Sequence, residues 1–129
     1  MNWLPLILGV AAVLSGCQQT MTQEKRDLIN HQLVVMQAVT GGTIPEPQII
    51  YVKHPDFKIG GQANCNNWTI SLNWYDVVGH TEFMAFNIIP HEYAHLLSCH
   101  YRGGVGPEGG HDEWWRKTVT KLGGDPNHV

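Results

Sequence analysis

The chain has 129 residues, of which 43% are hydrophobic and 15% are charged. This length suffices for one domain with a single core, and the composition excludes a disordered polyelectrolyte. Eight Lys and Arg residues stand against eleven Asp and Glu residues, so the formal net charge is −3. The chain contains no basic block, and we therefore expect no nucleic-acid partner.

The first sixteen residues contain no charged side chain and form an apolar run that leads into Leu-Ser-Gly-Cys at residues 14–17. The run is shorter than the roughly 20 residues of a membrane-spanning helix and is typical of a signal peptide. Its ending resembles the bacterial lipobox, in which the cysteine takes a lipid and becomes the new N-terminus. This resemblance predicts a signal peptide over residues 1–16 and lipidation of Cys17 at the start of a domain over residues 17–129. The alternatives are a plain cleaved signal and an uncleaved anchor.

The residue after the cysteine is Gln18 rather than Asp. By the rule of that lipoprotein family, the signal for retention in the inner membrane is then missing. The lipobox resemblance therefore implies a lipid anchor in the outer membrane, facing the periplasm of a bacterial cell envelope.

Hydrophobic periodicity predicts an α+β domain in the remaining chain. The predicted elements are, in chain order, a helix over residues 22–39, strands over 48–52, 59–65 and 68–73, and helices over 81–98 and 111–122. A glycine-rich loop over residues 103–110 separates the last two helices. Pro90 lies inside the helix predicted over residues 81–98 and should kink or restart it, because proline removes a backbone donor.

The most informative motif is His-Glu-Tyr-Ala-His at residues 91–95. Residues four apart on a helix share one face, so His91 and His95 can bind one zinc ion together. Glu92 lies on a neighbouring face, from which it can take a proton from water at the metal without binding the metal itself. The alternative is a surface pair of histidines beside a solvated glutamate. The apolar flanks of this helix favour the zinc site, because buried imidazoles need partners.

A catalytic zinc ion needs a third protein ligand and an open fourth position. His111 is the leading candidate, because the glycine-rich loop before it lets the chain fold back toward the first two histidines. Glu113 and Asp112 are rivals, since carboxylates also complete such sites. The remaining histidines outside the zinc helix and its end follow no pattern and are expected on the surface; they are His31, His54, His80 and His128.

Several segments resemble the SprT-like zinc metallopeptidases. They are Gly-Gln-Ala at residues 61–63, Ile-Ser-Leu-Asn at 70–73, the His-Asp-Glu-Trp-Trp that begins at the third histidine (111–115), and Leu-Gly-Gly-Asp-Pro at 122–126. The resemblance spans about residues 22–126. It implies a small zincin-like domain with an N-terminal helix, a short three-stranded sheet, a zinc helix and a C-terminal helix that carries the third ligand.

The chain departs from the family at Asp112, where glycine is usual. This carboxylate could accept a hydrogen bond from a metal-bound imidazole. In the family fold the strand that ends at Cys65 packs on the zinc helix, which ends near Cys99. The resemblance therefore implies that these cysteines could form a disulfide in an oxidising periplasm, the alternative being two buried thiols. Candidates for stabilising a developing oxyanion are Tyr93, His100, Tyr101 and Arg102, although each of these is also typical of a helix end or a surface.

The resemblance implies a zinc-dependent metallopeptidase of the cell envelope with one Zn²⁺ per chain and a protein or peptide substrate. Glu92 would be the general base, and His91, His95 and His111 the metal ligands. One alternative is a non-catalytic zinc-containing envelope lipoprotein with a binding or structural role. Another is an amide hydrolase that acts on peptidoglycan peptides. Since the chain is acidic and ends at Val129 without the DNA-binding extension of several relatives, we expect no role in DNA–protein crosslink repair.

Overall fold

The computed structural model describes residues 20–57, 60–104, 106 and 108–128. The predicted signal peptide and Cys17 lie outside the described residues. The helices are α1 (Gln23–Val39), α2 (Trp74–Gly79), α3 (Thr81–Phe83), α4 (Ile89–Arg102) and α5 (Glu113–Lys121), and the strands are β1 (Gln48–Val52), β2 (Gly61–Asn64) and β3 (Thr69–Asn73). The predicted α+β class and the small three-stranded sheet are confirmed.

The sheet has the strand order β1-β3-β2. β1 runs parallel to β3, with Ile49 opposite Ile70, whereas β2 is antiparallel to β3, with Ala63 opposite Ile70. β2 is therefore an edge strand, and α4 packs against it. This arrangement places the predicted zinc helix beside the edge strand of the sheet.

The helix predicted over residues 81–98 is divided into three parts. After α3, a π-helical segment (Met84–Ile88) leads into α4, and Ile89 N–H donates to the Met84 carbonyl across five residues. Pro90 lies in the first turn of α4, where its missing N–H removes no bond within the helix. The restart predicted at this proline is thus a wide turn followed by a new α-helix. α4 continues beyond the predicted end to Arg102, and Gly103 ends it with a φ of 73°.

The sequence reasoning missed α2. Its residues include Tyr75, Val77 and Val78, which have low helix propensity. The helix begins because the side chain of Asn73 caps it, accepting a hydrogen bond from the Asp76 N–H at 3.0 Å.

The core lies between the sheet and the three longer helices. Its fully buried members include Ile29, Met36, Ile70, Leu72, Ile89, Leu96, Trp115 and Val119. Trp115 projects from α5, so the last helix contributes the largest side chain of this core. No helix among the described residues combines the length and the apolar character needed to cross a membrane.

Candidate metal centre

Three histidines from two separate parts of the chain converge beside β2. His91 and His95 lie one turn apart on α4, and His111 reaches them from the loop before α5. The Nε2 atom of His111 is 3.1 Å from Nε2 of His91 and 3.2 Å from Nε2 of His95. The three rings therefore point the same nitrogen at one common position.

The loop before α5 determines how His111 enters the site. Gly109 and Gly110 have φ angles of 63° and 86°, which are favourable for glycine and strained for other residues. Asp112 then caps α5, its carboxylate accepting from the Trp115 N–H at 3.0 Å. The predicted last helix thus begins at Glu113, and His111 lies just before the cap rather than on the helix.

The two carboxylates considered as alternative third ligands are engaged elsewhere. Asp112 pairs with Arg102 at 2.7 Å, so its expected hydrogen bond to an imidazole is not among the contacts of the described residues. Glu113 is exposed and pairs with Lys117 at 3.2 Å. Of the three candidates, the geometry therefore brings only His111 to the pair on α4.

Trp115 forms the buried floor beneath the three imidazoles. Its ring centroid lies 4.7 Å from that of His91, 5.5 Å from that of His95 and 4.6 Å from that of His111. Its indole N–H also donates to the His91 carbonyl at 3.2 Å. Because this side chain is fully buried and contacts all three rings, it restricts their orientation.

All three imidazoles are neutral near pH 7. Burial first and the neighbouring site histidines second lower the pKa of His91 and of His95 to about 4. The pKa of His111 is also lowered, mainly by burial and to a smaller extent by the positive charge of Arg116. A neutral imidazole offers a nitrogen lone pair, which is the form that binds a metal ion.

The three histidines fit a metal ion. A tetrahedral ion bound by nitrogen at about 2.0–2.1 Å places its ligand atoms about 3.3 Å apart. The observed separations of 3.1 and 3.2 Å agree with that value. Three neutral rings with Nε2 atoms this close cannot all satisfy one another by hydrogen bonds, whereas one cation would satisfy all three. His91, His95 and His111 could therefore hold a metal ion.

Glu92 is a buried carboxyl group beside this position. It is only 6% exposed, and its Oε2 lies 4.0 Å from Nε2 of His91. Burial raises its pKa to about 7, against the opposing effect of a hydrogen bond from the Ala63 backbone. A carboxyl group with a pKa near neutrality can both accept and release a proton under ordinary conditions.

Comparison with curated proteins finds several relatives named SprT. Protein SprT of Proteus mirabilis (strain HI4320) is 33% identical over 84 residues, which are 65% of this chain and 49% of that protein. Protein SprT of Photorhabdus laumondii is 32% identical over 84 residues (65% and 42%), and that of Yersinia pseudotuberculosis (strain IP 31758) is 29% identical over 100 residues (78% and 58%). These similarities over most of the chain support a relationship to the SprT-like family. It spans about half the length of these curated relatives. No family model and no solved structure matches it.

In this SprT-like protein a cleft of about 310 Å³ opens onto the histidines. One wall is the β2 edge, residues 61–63 with Cys65, and the other holds His91, Glu92 and His95. A neighbouring hollow of about 520 Å³ shares Ala63 and Cys65 with the cleft. The described residues that line this hollow carry no charged side chain. The two depressions therefore lie next to each other along β2.

Cys65 and Cys99 are joined in a disulfide, with their Cα atoms 6.3 Å apart. Cys65 follows the last residue of β2, and Cys99 lies in the last turns of α4. The bond therefore links the strand edge to the helix that carries His91 and His95, at the boundary between the cleft and the hollow.

The side chains considered as oxyanion stabilisers are directed elsewhere. Four residues were considered, namely Tyr93, His100, Tyr101 and Arg102. None of them is among the described residues that line the cleft. The Tyr93 hydroxyl accepts a hydrogen bond from Gln37 at 2.8 Å, and the Tyr101 hydroxyl pairs with Thr43 at 2.6 Å. Both tyrosines thus hold α1 and the chain after it against α4.

Two contacts in the centre were not predicted from the sequence. The Ala63 backbone contacts Glu92, and the His128 carbonyl contacts His91. The side chains of His31, His54, His80 and His128 are exposed, as expected. A contact made by a main-chain atom cannot be predicted from the type of residue that makes it. The Leu-Gly-Gly-Asp-Pro motif did, however, mark the segment that leads to His128.

Proposed function

We propose that this SprT-like protein is a zinc-dependent metallopeptidase. The observation that carries the proposal is the convergence of three neutral imidazoles beside the buried carboxyl group of Glu92. The Nε2 atom of His111 lies 3.1 Å from that of His91 and 3.2 Å from that of His95. Three imidazole ligands with one side left open are typical of catalytic zinc, whereas structural zinc is enclosed by four protein ligands. Nitrogen ligands in this arrangement also favour zinc over calcium or magnesium, which prefer oxygen.

His91, His95 and His111 would hold the ion. Bound there, zinc supplies a Lewis acid that polarises a carbonyl group and lowers the pKa of water. Glu92 accepts the proton from the attacking water as the new C–O bond forms at the scissile carbonyl. It then delivers that proton to the amide nitrogen as the C–N bond breaks, so a carboxylic acid and an amine leave. Burial in the metal-free site raises the pKa of Glu92, which makes it a better proton acceptor than an exposed glutamate.

The substrate we propose is an extended segment of a protein or peptide. β2 is an edge strand, and the side of it that does not face β3 borders the cleft. An extended chain can pair with such an edge through main-chain hydrogen bonds, which do not depend on its sequence. The uncharged hollow beside the cleft would receive a neutral side chain of that segment.

We further propose that the domain acts in the bacterial cell envelope, held by a lipid on Cys17. The apolar run and the Leu-Ser-Gly-Cys sequence support this location. The disulfide between Cys65 and Cys99 supports it independently, because disulfides persist in oxidising compartments such as the periplasm.

The substitution Glu92→Gln tests the peptidase proposal. It replaces the proton acceptor by an amide of nearly the same shape and leaves the three histidines unchanged. The variant should bind zinc as the unaltered protein does, yet hydrolyse a peptide-library substrate roughly 10²–10⁴-fold more slowly. The matched control is Glu113→Gln, which alters an exposed glutamate on α5 and should retain full activity.

Equal rates for the unaltered protein and Glu92→Gln, at equal zinc content, would exclude this mechanism. A zinc-loaded protein that cleaves nothing in a broad peptide screen would instead favour the non-catalytic alternative. Cleavage of peptidoglycan peptides alone would favour the alternative of an amide hydrolase that acts on them. The proposed role of Glu92 would then be unchanged.

A further inference from the structure

The residues that follow α5 return to the start of the zinc helix. We call residues 122–128 the closing segment. Gly123 turns the chain with a φ of 85°, and the Gly124 N–H donates to the Val119 carbonyl at 3.0 Å. A Cβ atom on Gly124 would lie 2.9 Å from Cβ of Pro90 and 2.9 Å from Cγ1 of Val119. Glycine at this position therefore lets the closing segment pass directly against the first turn of α4.

The last described residue of the closing segment, His128, contacts the metal-site histidine His91. The main-chain carbonyl oxygen of His128 lies 3.2 Å from Nδ1 of His91. A carbonyl oxygen only accepts, so Nδ1 must carry the proton in this contact. A neutral imidazole has a single N–H, and the Nε2 of His91 is then left with the lone pair that faces His111.

Several further contacts hold this carbonyl in place. Arg116 donates from its guanidinium to the Pro126 carbonyl at 3.2 Å. The Asn127 N–H donates to the Asp125 carboxylate at 2.9 Å, and the His128 N–H donates to the Asp125 carbonyl at 3.3 Å. The imidazole of His128 packs edge-on against Phe83, with the ring centroids 5.0 Å apart. The segment is thus built as a turn anchored at both ends.

His95 offers a contrast within the same centre. Its Nδ1 is buried and has no hydrogen-bond partner among the described residues. The ring of His95 is instead held by stacking on Trp115, with 22° between the planes. His91 is therefore the ligand on α4 whose ring is oriented by a hydrogen bond from its outer nitrogen.

We propose that the closing segment is a positioning element for the metal centre, in which the His128 carbonyl keeps His91 in the tautomer that binds through Nε2. This inference rests on the zinc site of the proposed function. Loss of such a hydrogen bond, which the outer nitrogen of a ligating histidine donates to its partner, typically costs 10–100-fold in metal affinity. The effect comes from the main-chain carbonyl, so the identity of side chain 128 should matter little.

The test compares zinc affinity, measured by competition with a chromophoric chelator, in the full chain and four variants. Gly124→Ala forces the closing segment away from Pro90, and its matched control is Gly79→Ala, where a Cβ meets no atom within 4 Å. A chain ended after Asp125 removes the carbonyl altogether and leaves Gly124 unchanged. Gly124→Ala and the shortened chain should bind zinc about 10–100-fold more weakly, while Gly79→Ala should match the unaltered protein.

His128→Ala separates the carbonyl from the imidazole. It removes the ring that contacts Phe83 and retains the backbone, so zinc affinity should stay within about twofold of the unaltered protein. Nitrogen-15 NMR of histidine-labelled, zinc-loaded protein gives the decisive signature. The unaltered chain should show a slowly exchanging Nδ1–H on His91, and the shortened chain should lose that protection.

Unchanged zinc affinity and an unchanged Nδ1–H signal in the shortened chain would overturn the inference. A loss in His128→Ala as large as that in the shortened chain would also overturn it, because the effect would then belong to the ring. Neither result bears on peptide hydrolysis. If the unaltered chain binds no zinc, it is the proposed function that fails.

Discussion

Arg102 and Asp112 form an ion pair in which the guanidinium Nη1 lies 2.7 Å from the carboxylate Oδ2. Arg102 ends α4, and Asp112 caps α5 directly after His111. Hydrogen bonds from Arg102 and from the Trp115 N–H lower the pKa of Asp112, which keeps its carboxylate charged. The pair therefore fixes α4, which carries His91 and His95, relative to the start of α5, which His111 directly precedes. It also engages the carboxylate that directly follows His111 in the chain.

The ligand set can be tested by metal content. The protein should bind one zinc ion per chain, and His91→Ala, His95→Ala and His111→Ala should each lose most of it, because two protein ligands rarely retain zinc against competition. Glu113→Ala is the control and should retain full zinc, since this exposed side chain pairs with Lys117. The measurement is elemental analysis after dialysis. Full zinc in His111→Ala together with loss in Glu113→Ala would reverse the assignment of the third ligand.

The stability of the metal-free protein should fall on acidification. The pKa of His91 and of His95 is about 4 in the folded chain and 6.5 when unperturbed, so the unfolded chain binds more protons between these values. Glu92 acts in the opposite direction, because its pKa rises from 4.5 in the unfolded chain to about 7 in the folded chain. Its protonation therefore stabilises the folded chain at low pH, and this stabilisation is lost as the pH rises through 7. Two histidines outweigh one glutamate in this window.

We therefore expect the chelator-treated protein to melt at a lower temperature near pH 5 than near pH 6.5. Glu92→Gln removes the opposing contribution, so its melting temperature should fall more steeply over the same interval. Scanning calorimetry of both proteins measures the difference. A melting temperature that is constant or rises on acidification would show that the site histidines are not buried in the neutral form.

Local features of the sequence predicted much of this fold. The β-branched and aromatic residues of Gln48–Val52 predict β1 with the observed bounds. Helix α1 begins at Gln23, one residue after the predicted start, and Thr22 caps it. The spacing of His91 and His95, together with the glycines before His111, predicted the three residues that converge. Each of these signals lies within a few residues of the feature that it predicts.

The features that were not predicted depend on contacts between distant residues. The placement of β2 at the sheet edge follows from the pairing of β1 with β3, and no local pattern specifies that order. The π-helical segment before Pro90 depends on how the chain enters the core. The ion pair between Arg102 and Asp112 and the contact between His128 and His91 join residues 10 and 37 positions apart. Only the folded chain brings such groups together.

The proposed lipid anchor predicts a simple change of location. Cys17→Ser removes the thiol that would take the lipid and leaves the described domain intact. Expressed in a bacterium fed a radiolabelled or alkynyl fatty acid, the unaltered protein should carry the label and fractionate with membranes, whereas Cys17→Ser should lose the label. Cys65→Ser is the control for nonspecific acylation and should keep it. An unaltered protein that partitions into membranes without any label would exclude the lipid anchor.

The disulfide should contribute substantially to stability. Cys65 and Cys99 are 34 positions apart, and closing a loop of that length restricts the unfolded chain by roughly 3–4 kcal/mol. We expect a reductant to lower the free energy of unfolding of the protein by about that amount, measured by urea denaturation. The double variant Cys65→Ser with Cys99→Ser is the control: it should have the lower stability throughout and respond to reductant by less than about 0.5 kcal/mol. An equal effect of reductant on both proteins would mean that it acts elsewhere, for example on bound metal. The bond between the β2 edge and α4 would then contribute nothing measurable to stability.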